Sequence, residues 1–249
     1  KMSKSRKNVV DPDDLLNRYG ADTARLFSLF AAPPEKDLEW SDKGVEGAFR
    51  FLNRIYRLVD AWSDELSQPV TAIPFADLTV GRALFQKGHL TIKKVTEDLD
   101  RDFHFNTAIA ALMELVNVLG QFDLNGTQDE QEERRFVARH AVEILLVLLA
   151  PFAPHLAEEL WERLGHRRSI CEEPWPTYSD EVIQREEILV VVQVNGKLRS
   201  RIFLPAHADE AELRAAALQD SRVQTWLHGK EVVRVVVVPK KLVNIVTGP

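Results

Sequence analysis

The fold of this chain is decided first by residues 45–66, which read VEGAFRFLNRIYRLVDAWSDEL. When the stretch is projected at about 100° per residue, its apolar side chains fall on one face of an α-helix. These side chains belong to Ala48, Phe49, Leu52, Ile55, Tyr56, Val59, Trp62 and Leu66. The stretch therefore predicts a long amphipathic helix that buries this face against other elements.

Further helical patterns lie on both sides of this stretch. Before it, Asp11-Pro12 predicts a helix start and Gly20 predicts a break, within a short segment that ends near Trp40. After it, the apolar spacing predicts four more helices, at 78–100, 106–121, 130–149 and 155–164. Amphipathic helices joined by short loops predict a helical bundle.

The pattern changes period after residue 187. Residues 188–194 and 197–204 are predicted strands, joined by Asn195-Gly196, the strongest short signal of a hairpin turn. Two short helical patterns follow, at 209–219 and 221–227. Two more predicted strands come last, at 232–238 and 242–246. This order predicts a small β-β-α-β-β module, large enough to fold.

The predicted fold class is multidomain and mainly α, with a helical bundle followed by a small α+β domain. Residues 179–187 are polar and poor in apolar side chains, so they are the predicted linker. The predicted divisions are a connecting helical segment at 1–44, the bundle at 45–178, the linker at 179–187 and the α+β domain at 188–249.

The composition is that of an ordinary soluble protein. The chain has 249 residues, of which 45% are hydrophobic and 28% charged. No apolar run approaches the ~18 residues that span a bilayer, and no secretory signal is expected. Cys171 is the single cysteine, which excludes an intramolecular disulfide and a cysteine-rich zinc site. A cytoplasmic location is expected.

The charge is distributed unevenly. The whole chain has a net charge of -6. Residues 45–187 hold 15 basic and 25 acidic side chains, a net charge of -10, whereas residues 188–249 hold 9 basic and 5 acidic ones, a net charge of +4. A basic terminal module on an acidic middle suggests a polyanionic partner, although chance variation in a short module would give the same numbers.

Three arginines of the long predicted helix form a stripe opposite its apolar face. They are Arg50, Arg54 and Arg57, and only Arg50 has an acidic residue, Glu46, four positions away. Such a stripe is often a solvated surface. Without acidic neighbours, however, the guanidinium groups are available for phosphates. Both interpretations remain open on the sequence alone.

Candidate catalytic residues are confined to the first five positions, Lys1-Met2-Ser3-Lys4-Ser5. A lysine on a loop can meet the charge that develops on a pyrophosphate, and Ser3 and Ser5 could donate hydrogen bonds to phosphate oxygens. The histidines share no metal-ligand spacing, so no metal site is predicted. His155, directly after Ala153-Pro154, is expected to cap or bridge a helix start.

Several segments together resemble a known family. The pentapeptide resembles the KMSKS signature of class I aminoacyl-tRNA synthetases. Residues 18–25 resemble the segment that follows this signature in class Ia synthetases, and residues 38–40, 44–47 and 50–54 narrow the resemblance to leucyl-tRNA synthetases of bacterial type. The runs FNTAIA at 105–110 and LAPFAPH at 149–155 resemble the helical domain of that family. The runs VQVNGKLR at 192–199 and VPKKLVNIV at 238–246 resemble its C-terminal domain and point specifically to leucine.

The resemblance implies an enzyme that uses ATP with Mg to attach leucine to leucine tRNA. Lys1–Ser5 would form the ATP loop, in which Lys4 stabilises the triphosphate. The catalytic and editing domains of such an enzyme would precede residue 1, so the isolated fragment is expected to be inactive and to bind no cofactor stably. A monomer with no membrane contact is expected.

The resemblance also implies two regions that hold tRNA. In the bundle the candidate contacts are Arg50, Arg54 and Arg57. In the C-terminal module they are Lys197, Arg199, Arg201, Arg234, Lys240 and Lys241. The alternative hypothesis is a stand-alone or split subunit that binds tRNA or protein without ATP chemistry. A coding sequence that starts with Met just upstream of Lys1 would favour this alternative.

Overall fold

The computed structural model describes residues 12–32, 35–37, 40–183, 187–205, 208–239 and 241–248. The chain divides into two compact units, with the division after Ile183. The first unit is helical and the second is a sheet with two helices. The mainly α fold with a small α+β domain is therefore confirmed. Lys1–Ser5 and Lys240 lie outside the described residues.

The first unit is a helical bundle whose elements follow the predicted order. Its helices are α1 Pro12–Tyr19, α2 Ala21–Phe30, α3 Asp42–Leu66, α4 Arg82–Asp102, α5 Phe105–Leu119, α6 Gln131–Leu149, α7 Pro154–Arg163 and α8 Asp180–Ile183. The long helix α3 begins earlier than its apolar pattern does, because the Ser41 hydroxyl accepts a hydrogen bond from the Gly44 N–H at 3.1 Å and caps it.

The core of the bundle lies between α3, α5 and α6. Leu112, Leu115 and Leu145 are fully buried there, as are Ile55 and Val59 on the apolar face of α3. Helix α6 is buried along most of its length, which agrees with the apolar run near its C-terminal end. The opposite face of α3 is left at the surface, and it carries the arginine stripe.

The predicted linker begins before the bundle ends. Residues 180–183 form the short helix α8, in which Val182 is buried in the bundle core. The Gln86 side chain donates a hydrogen bond to the Val182 carbonyl at 2.9 Å, and the Ser179 N–H donates one to His89 Nδ1 at 3.1 Å. A single apolar side chain thus anchors residues 180–183 to the bundle, although the composition of the segment is polar. The predicted domain divisions, the linker at 179–187 included, stay predictions.

The second unit is a four-stranded sheet covered on one face by helices. Its elements are β1 Glu187–Val194, β2 Lys197–Pro205, α9 Glu210–Gln219, α10 Ser221–Leu227, β3 Val232–Val238 and β4 Leu242–Thr247. The strand order is β2-β1-β4-β3, in which β1 and β4 are parallel and the outer pairs antiparallel. The sequence did not predict this order.

The two faces of this sheet differ in burial. Val190, Val192 and Ile245 are fully buried on the face that α9 and α10 cover. The other face, which we call the open face, carries Leu189 paired with Phe203, whose side chain is 67% exposed. No helix in the described part of the chain is long and apolar enough to cross a membrane.

Candidate functional site

The three arginines of α3 are brought together on the surface of the bundle. Arg50, Arg54 and Arg57 are exposed, and they line a groove of about 390 Å³. We call it the arginine groove, and its lining residues are Phe49, Arg50, Asn53, Arg54 and Arg57. The predicted stripe is therefore a continuous surface feature.

The charge of the arginine groove is only slightly compensated. Arg50 lies 3.9 Å from the Glu46 carboxylate, and both side chains are largely exposed. Arg54 donates a hydrogen bond to the Asn117 side-chain oxygen, a neutral partner that fixes the guanidinium and keeps its charge. Within the described residues, Arg57 makes no ion pair. The groove thus offers positive charge to an anionic ligand.

The sequence did not identify Phe49 and Asn53 as groove residues. Phe49 was predicted on the buried face, but its side chain is 38% exposed. Its ring packs edge-on against Tyr19 of α1 at 5.5 Å between centroids, so it marks the boundary of the apolar face. The signal that could have found it is its position directly beside Arg50. An exposed aromatic ring beside arginines is a surface on which nucleic-acid bases stack.

A second groove adjoins the arginine groove. It has a volume of about 380 Å³ and lies where α1, α2, α3 and α7 meet, so we call it the junction groove. Phe49 and Asn53 line both grooves. The other lining residues of the junction groove are Tyr19, Gly20, Ala21, Asp22, Thr23, Leu52, Tyr56, His155 and Leu156. The positively charged surface of α3 is thus continuous with the contact between α2 and α7.

One carboxylate organises the junction groove. Asp22 accepts hydrogen bonds from the Leu156 N–H and from His155 Nδ1, both at 2.7 Å. The prediction that His155 bridges a helix start is confirmed, since its backbone and its ring both face Asp22 at the start of α7. His155 keeps 76% of its side-chain surface exposed, so its ring borders the groove.

The basic candidates of the second unit do not form one patch. Arg201 and Arg234 lie on the open face, on the two outer strands β2 and β3. Lys197 pairs with the buried Val194, which places it toward the helix-covered side, near the hairpin. The irregular register of β1 and β2 at Val192 separates these two groups.

Arg199 is the most constrained of these candidates. Its guanidinium lies over the Trp226 ring of α10, with its Cζ atom 3.3 Å from the ring centroid. Its Nε atom is buried without a hydrogen-bond partner in the described part of the chain. Stacking on Trp226 leaves the Arg199 guanidinium charged and holds the group in one orientation. Lys241 is exposed in the turn before β4, and Lys240 lies outside the described residues.

A buried histidine pair lies in the bundle, away from both grooves. The Nε2 atoms of His89 and His140 are 3.5 Å apart, and the His140 ring stacks on Phe85 at 4.6 Å between centroids. Burial and the neighbouring His89 lower the pKa of His140 to about 4, although Glu143 acts in the opposite direction. Burial also lowers the pKa of His89. Among the described residues, no group of three possible ligands could hold a metal ion.

Comparison with known proteins agrees with these features. Residues 81–214 match the model of the anticodon-binding domain of tRNA ligases, and residues 1–41 match that of class I tRNA synthetases for I, L, M and V. The chain belongs to the anticodon-binding domain family of tRNA ligases. The match to residues 1–41 includes Lys1–Ser5, so the resemblance to class I synthetases is confirmed from the first residue.

Similar proteins share one activity. A leucine–tRNA ligase of Syntrophobacter fumaroxidans is 57% identical over 99% of this chain and 30% of its own length. One of Geotalea uraniireducens is 50% identical over 100% of this chain and 30% of its own length. The chain thus spans about 30% of the length of the curated relatives that it matches. The resemblance to leucyl-tRNA synthetases is confirmed.

A solved structure has the same fold. It is the ternary complex of Agrobacterium radiobacter K84 agnB2 LeuRS with tRNA and LeuAMS, which is 32% identical with a TM-score of 0.83. The match covers 100% of this chain and 32% of that chain. The whole of this chain is therefore similar to one part of a larger synthetase.

Proposed function

We propose that this chain is the C-terminal region of a cytoplasmic leucine–tRNA ligase, in which it holds leucine tRNA. The supporting observation is the identity of 50–57% with leucine–tRNA ligases over 99–100% of the chain. The whole enzyme would use ATP with Mg to activate leucine and would then transfer it to tRNA. Catalytic and editing domains elsewhere in the same enzyme would be the partners of this region.

In this proposal Lys1–Ser5 form the ATP loop. Lys4 holds the negative charge of the triphosphate, with Ser3 and Ser5 as possible hydrogen-bond donors to its oxygens. ATP supplies the activated phosphate that leucine attacks. The roles of these residues are supported by the sequence match over residues 1–41. The tRNA contacts lie elsewhere, in the bundle and in the second unit.

The arginine groove is the proposed contact in the bundle. Its guanidinium groups are exposed and nearly free of carboxylate partners, so phosphates can replace water around them without breaking strong ion pairs. The surrounding bundle is acidic, with a net charge of -10 over residues 45–187. The negative charge of the rest of the bundle repels an RNA backbone. The RNA is therefore favoured to bind at the arginine groove, in a single orientation.

The open face and the hairpin end are the proposed contacts in the second unit. Arg201 and Arg234 place charge at both edges of the open face, and Phe203 offers an exposed ring on the same edge strand as Arg201. At the hairpin end, Arg199 is held on Trp226 with Lys197 nearby. Phosphate contacts and stacking on aromatic rings together are typical of RNA recognition. Lys241, which is exposed in the turn before β4, and Lys240, which lies outside the described residues, are the other basic candidates of this unit.

Binding of leucine tRNA to the purified chain tests the two contacts. We expect the affinity to fall steeply with salt, and each charge reversal, Arg54→Glu or Arg201→Glu, to weaken it about tenfold and reduce the salt slope by about 1. The double change Lys240→Glu with Lys241→Glu should act in the same direction. Arg214→Glu is the matched control, since Arg214 is exposed on α9. Unchanged binding in Arg54→Glu would remove the arginine groove from the interface.

Aminoacylation tests the assignment as a whole. A full-length protein that carries this chain should charge leucine tRNA, and the purified chain 1–249 should form no leucyl-adenylate. Adenylate formation by the isolated chain at the rate of the full-length enzyme would contradict the proposal. A coding sequence that begins with Met just upstream of Lys1 and lacks a catalytic domain would favour a binding subunit without ATP chemistry.

A further inference from the structure

Two residues that line the junction groove each keep a hydrogen-bond acceptor without a partner. Asn53 donates a hydrogen bond from Nδ2 to the Phe49 carbonyl at 2.8 Å, which fixes the carboxamide and leaves its Oδ1 atom unpaired within the described residues. His155 contacts Asp22 Oδ1 through its Nδ1 atom at 2.7 Å. Its Nε2 atom makes no hydrogen bond in the part of the chain that the structure describes, and the side chain is largely exposed. Asn53 Oδ1 and His155 Nε2 are therefore open to a ligand.

Asp22 decides which nitrogen of His155 carries the proton. An ionised carboxylate only accepts hydrogen bonds, so the Nδ1 atom that contacts it carries a hydrogen. A neutral imidazole has one donor and one acceptor nitrogen, so Nε2 is the acceptor. The Asp22 carboxylate is itself held, because it also accepts the Leu156 N–H at 2.7 Å and its side chain is only 12% exposed. The acceptor at Nε2 is thus fixed in place by a fixed group.

The junction groove disfavours the charged part of a nucleic-acid strand. Asp22 places a negative charge on its wall, and none of its lining residues is an arginine or a lysine. Tyr19, Phe49 and Leu52 make much of the remaining wall apolar. A phosphate is repelled there, whereas a neutral group that donates hydrogen bonds to the open acceptors is favoured.

The neighbouring arginine groove has the opposite preference. Phe49 and Asn53 line both grooves, so the arginines and the open acceptors lie along one continuous surface. Each RNA nucleotide carries a phosphate and, on the adjoining ribose, a 2′-hydroxyl that can donate a hydrogen bond. An A-form helix displays its 2′-hydroxyls in a wide, shallow minor groove without unstacking its bases. A surface with cations beside neutral acceptors therefore matches the sugar–phosphate backbone of RNA.

We propose that the junction groove recognises the 2′-hydroxyl groups of leucine tRNA, with His155 Nε2 and Asn53 Oδ1 as acceptors and Asp22 as the positioning residue. The inference rests on the proposed function, because it concerns the strand whose phosphates the arginine groove holds. It assigns to His155 and Asn53 a share in distinguishing RNA from DNA. Phosphate contacts do not make this distinction, since both nucleic acids carry the same phosphates.

Leucine tRNA that carries blocks of 2′-deoxynucleotides tests the proposal, because this change removes hydroxyls and keeps every base and phosphate. Binding to the purified chain is measured at about pH 8, at which histidine side chains are ordinarily neutral. We expect at least one block to weaken the affinity of the wild-type chain about three- to tenfold, as the loss of one hydrogen bond does.

His155→Ala and Asn53→Ala each remove one acceptor and keep the arginines. Each should weaken the binding of all-ribose tRNA about three- to tenfold, and a deoxy block that weakens the wild type should then cost the variant less than about twofold. The salt slope should stay that of the wild type, whereas Arg54→Glu should reduce it by about 1. His104→Ala is the matched control, since His104 is an exposed histidine of the bundle that lines neither groove. Circular dichroism checks that each variant is folded.

The possible results separate the inference from the proposed function. A wild-type chain that does not bind leucine tRNA would contradict the proposed function itself. Binding that Arg54→Glu weakens but folded His155→Ala and Asn53→Ala leave within about twofold of the wild type would overturn the inference alone. An additive loss, in which a deoxy block costs the variants as much as the wild type, would also overturn it. Inosine in place of guanosine removes a base amino group, and a non-additive loss from that change alone would assign the donor to a base instead of the ribose.

Discussion

The two units stabilise their helix ends in different ways. In the bundle, α7 is capped by Asp22 of α2, and the turn before α4 is held by Glu133 of α6. In the second unit, the helix starts are capped by their own neighbours, Asp209 for α9 and Asp220 for α10. Among the α-helices of the bundle whose N-cap residue the structure describes, α3 alone has a local side-chain cap, from Ser41.

The two kinds of cap depend to different degrees on the assembled tertiary structure. A local cap forms with its helix, whereas a cap from a distant helix forms only after the bundle has packed. Losing a distant cap therefore loosens two helices, and losing a local one loosens a single helix.

The largest effect should come from the cores. Leu145→Ala in α6 should lower the free energy of unfolding of the bundle by about 2–5 kcal/mol, because the side chain is fully buried among rigid helices. Leu213→Ala in α9 makes the same change in the second unit and should fall at the lower end of that range, since α9 lies on a small core that can collapse. Urea unfolding with local hydrogen exchange measures both. An equal cost would show two equally rigid cores.

The second effect concerns pH. His140 is buried in its neutral form, with its pKa lowered from 6.5 to about 4. The unfolded chain therefore binds a proton between these values that the folded bundle does not bind, and stability falls as the pH drops from 6.5 to 4. The loss should be about 2–3 kcal/mol, and it is absent above pH 6.5.

His140→Phe is the matched control variant for this pH dependence of stability. It keeps an aromatic ring against Phe85 and Phe136 and removes the proton. Unfolding free energies measured between pH 4 and 7 should become flatter in this variant. An equal pH dependence of the unfolding free energy in the wild type and in His140→Phe would assign that dependence to other titratable groups.

The third effect tests a distant polar contact. The Glu133 carboxylate accepts hydrogen bonds from the Thr79 N–H, the Thr79 hydroxyl and the Gly81 N–H at 2.7–2.9 Å. Burial alone would raise the pKa of Glu133, but these hydrogen bonds outweigh it and lower the pKa. Glu133→Gln should cost about 1–3 kcal/mol, since an amide cannot accept all three. Faster hydrogen exchange should then appear in both α4 and α6.

The pH dependence of this contact has a defined sign. A lowered pKa means that the carboxylate stabilises the bundle above its ordinary value of 4.5, and that this contribution is lost as the pH falls through the folded pKa. Glu133→Gln should remove that acid-side loss. Hydrogen exchange that increases in α4 alone would contradict the expectation that losing a distant cap loosens two helices.

The smallest effect tests a local cap. Asp209 and Glu212 form a capping box, with reciprocal hydrogen bonds of 2.8 and 2.9 Å. Asp209→Ala should cost about 1 kcal/mol, and hydrogen exchange should increase in α9 without a change in the bundle. Asp209→Asn, which keeps an acceptor, should cost less. Increased exchange across the bundle would contradict local action.

The contrast also explains what could be predicted from the sequence. Helix and strand bounds followed from local signals such as Pro12, Gly20 and Asn195-Gly196, and the structure reproduces them within a few residues. The arginine stripe followed from helical spacing, and the structure confirms that it is exposed. These features depend on neighbours in the sequence, so the sequence reports them.

The remaining features depend on tertiary contacts. Nothing near Asp22 indicates that its carboxylate accepts the backbone N–H of Leu156, 134 positions away, and so caps α7. The exposure of Phe49 depends on where Tyr19 meets it, and the separation of Arg199 from Arg201 depends on a register irregularity between β1 and β2. Such pairings are set by packing, and the local pattern does not contain them.

The strand order of the second unit has a consequence for biosynthesis. Val191 of β1 pairs with Leu242 of β4, so the centre of the sheet joins segments roughly fifty residues apart. Asn195 of the hairpin also exchanges hydrogen bonds with Thr247. On the ribosome, the β1–β2 hairpin can form early. The other side of β1 can pair with β4 only after β4 has left the ribosome. Until then β1 is an unprotected edge on a nascent chain, and chaperones that bind exposed strands would act in that interval.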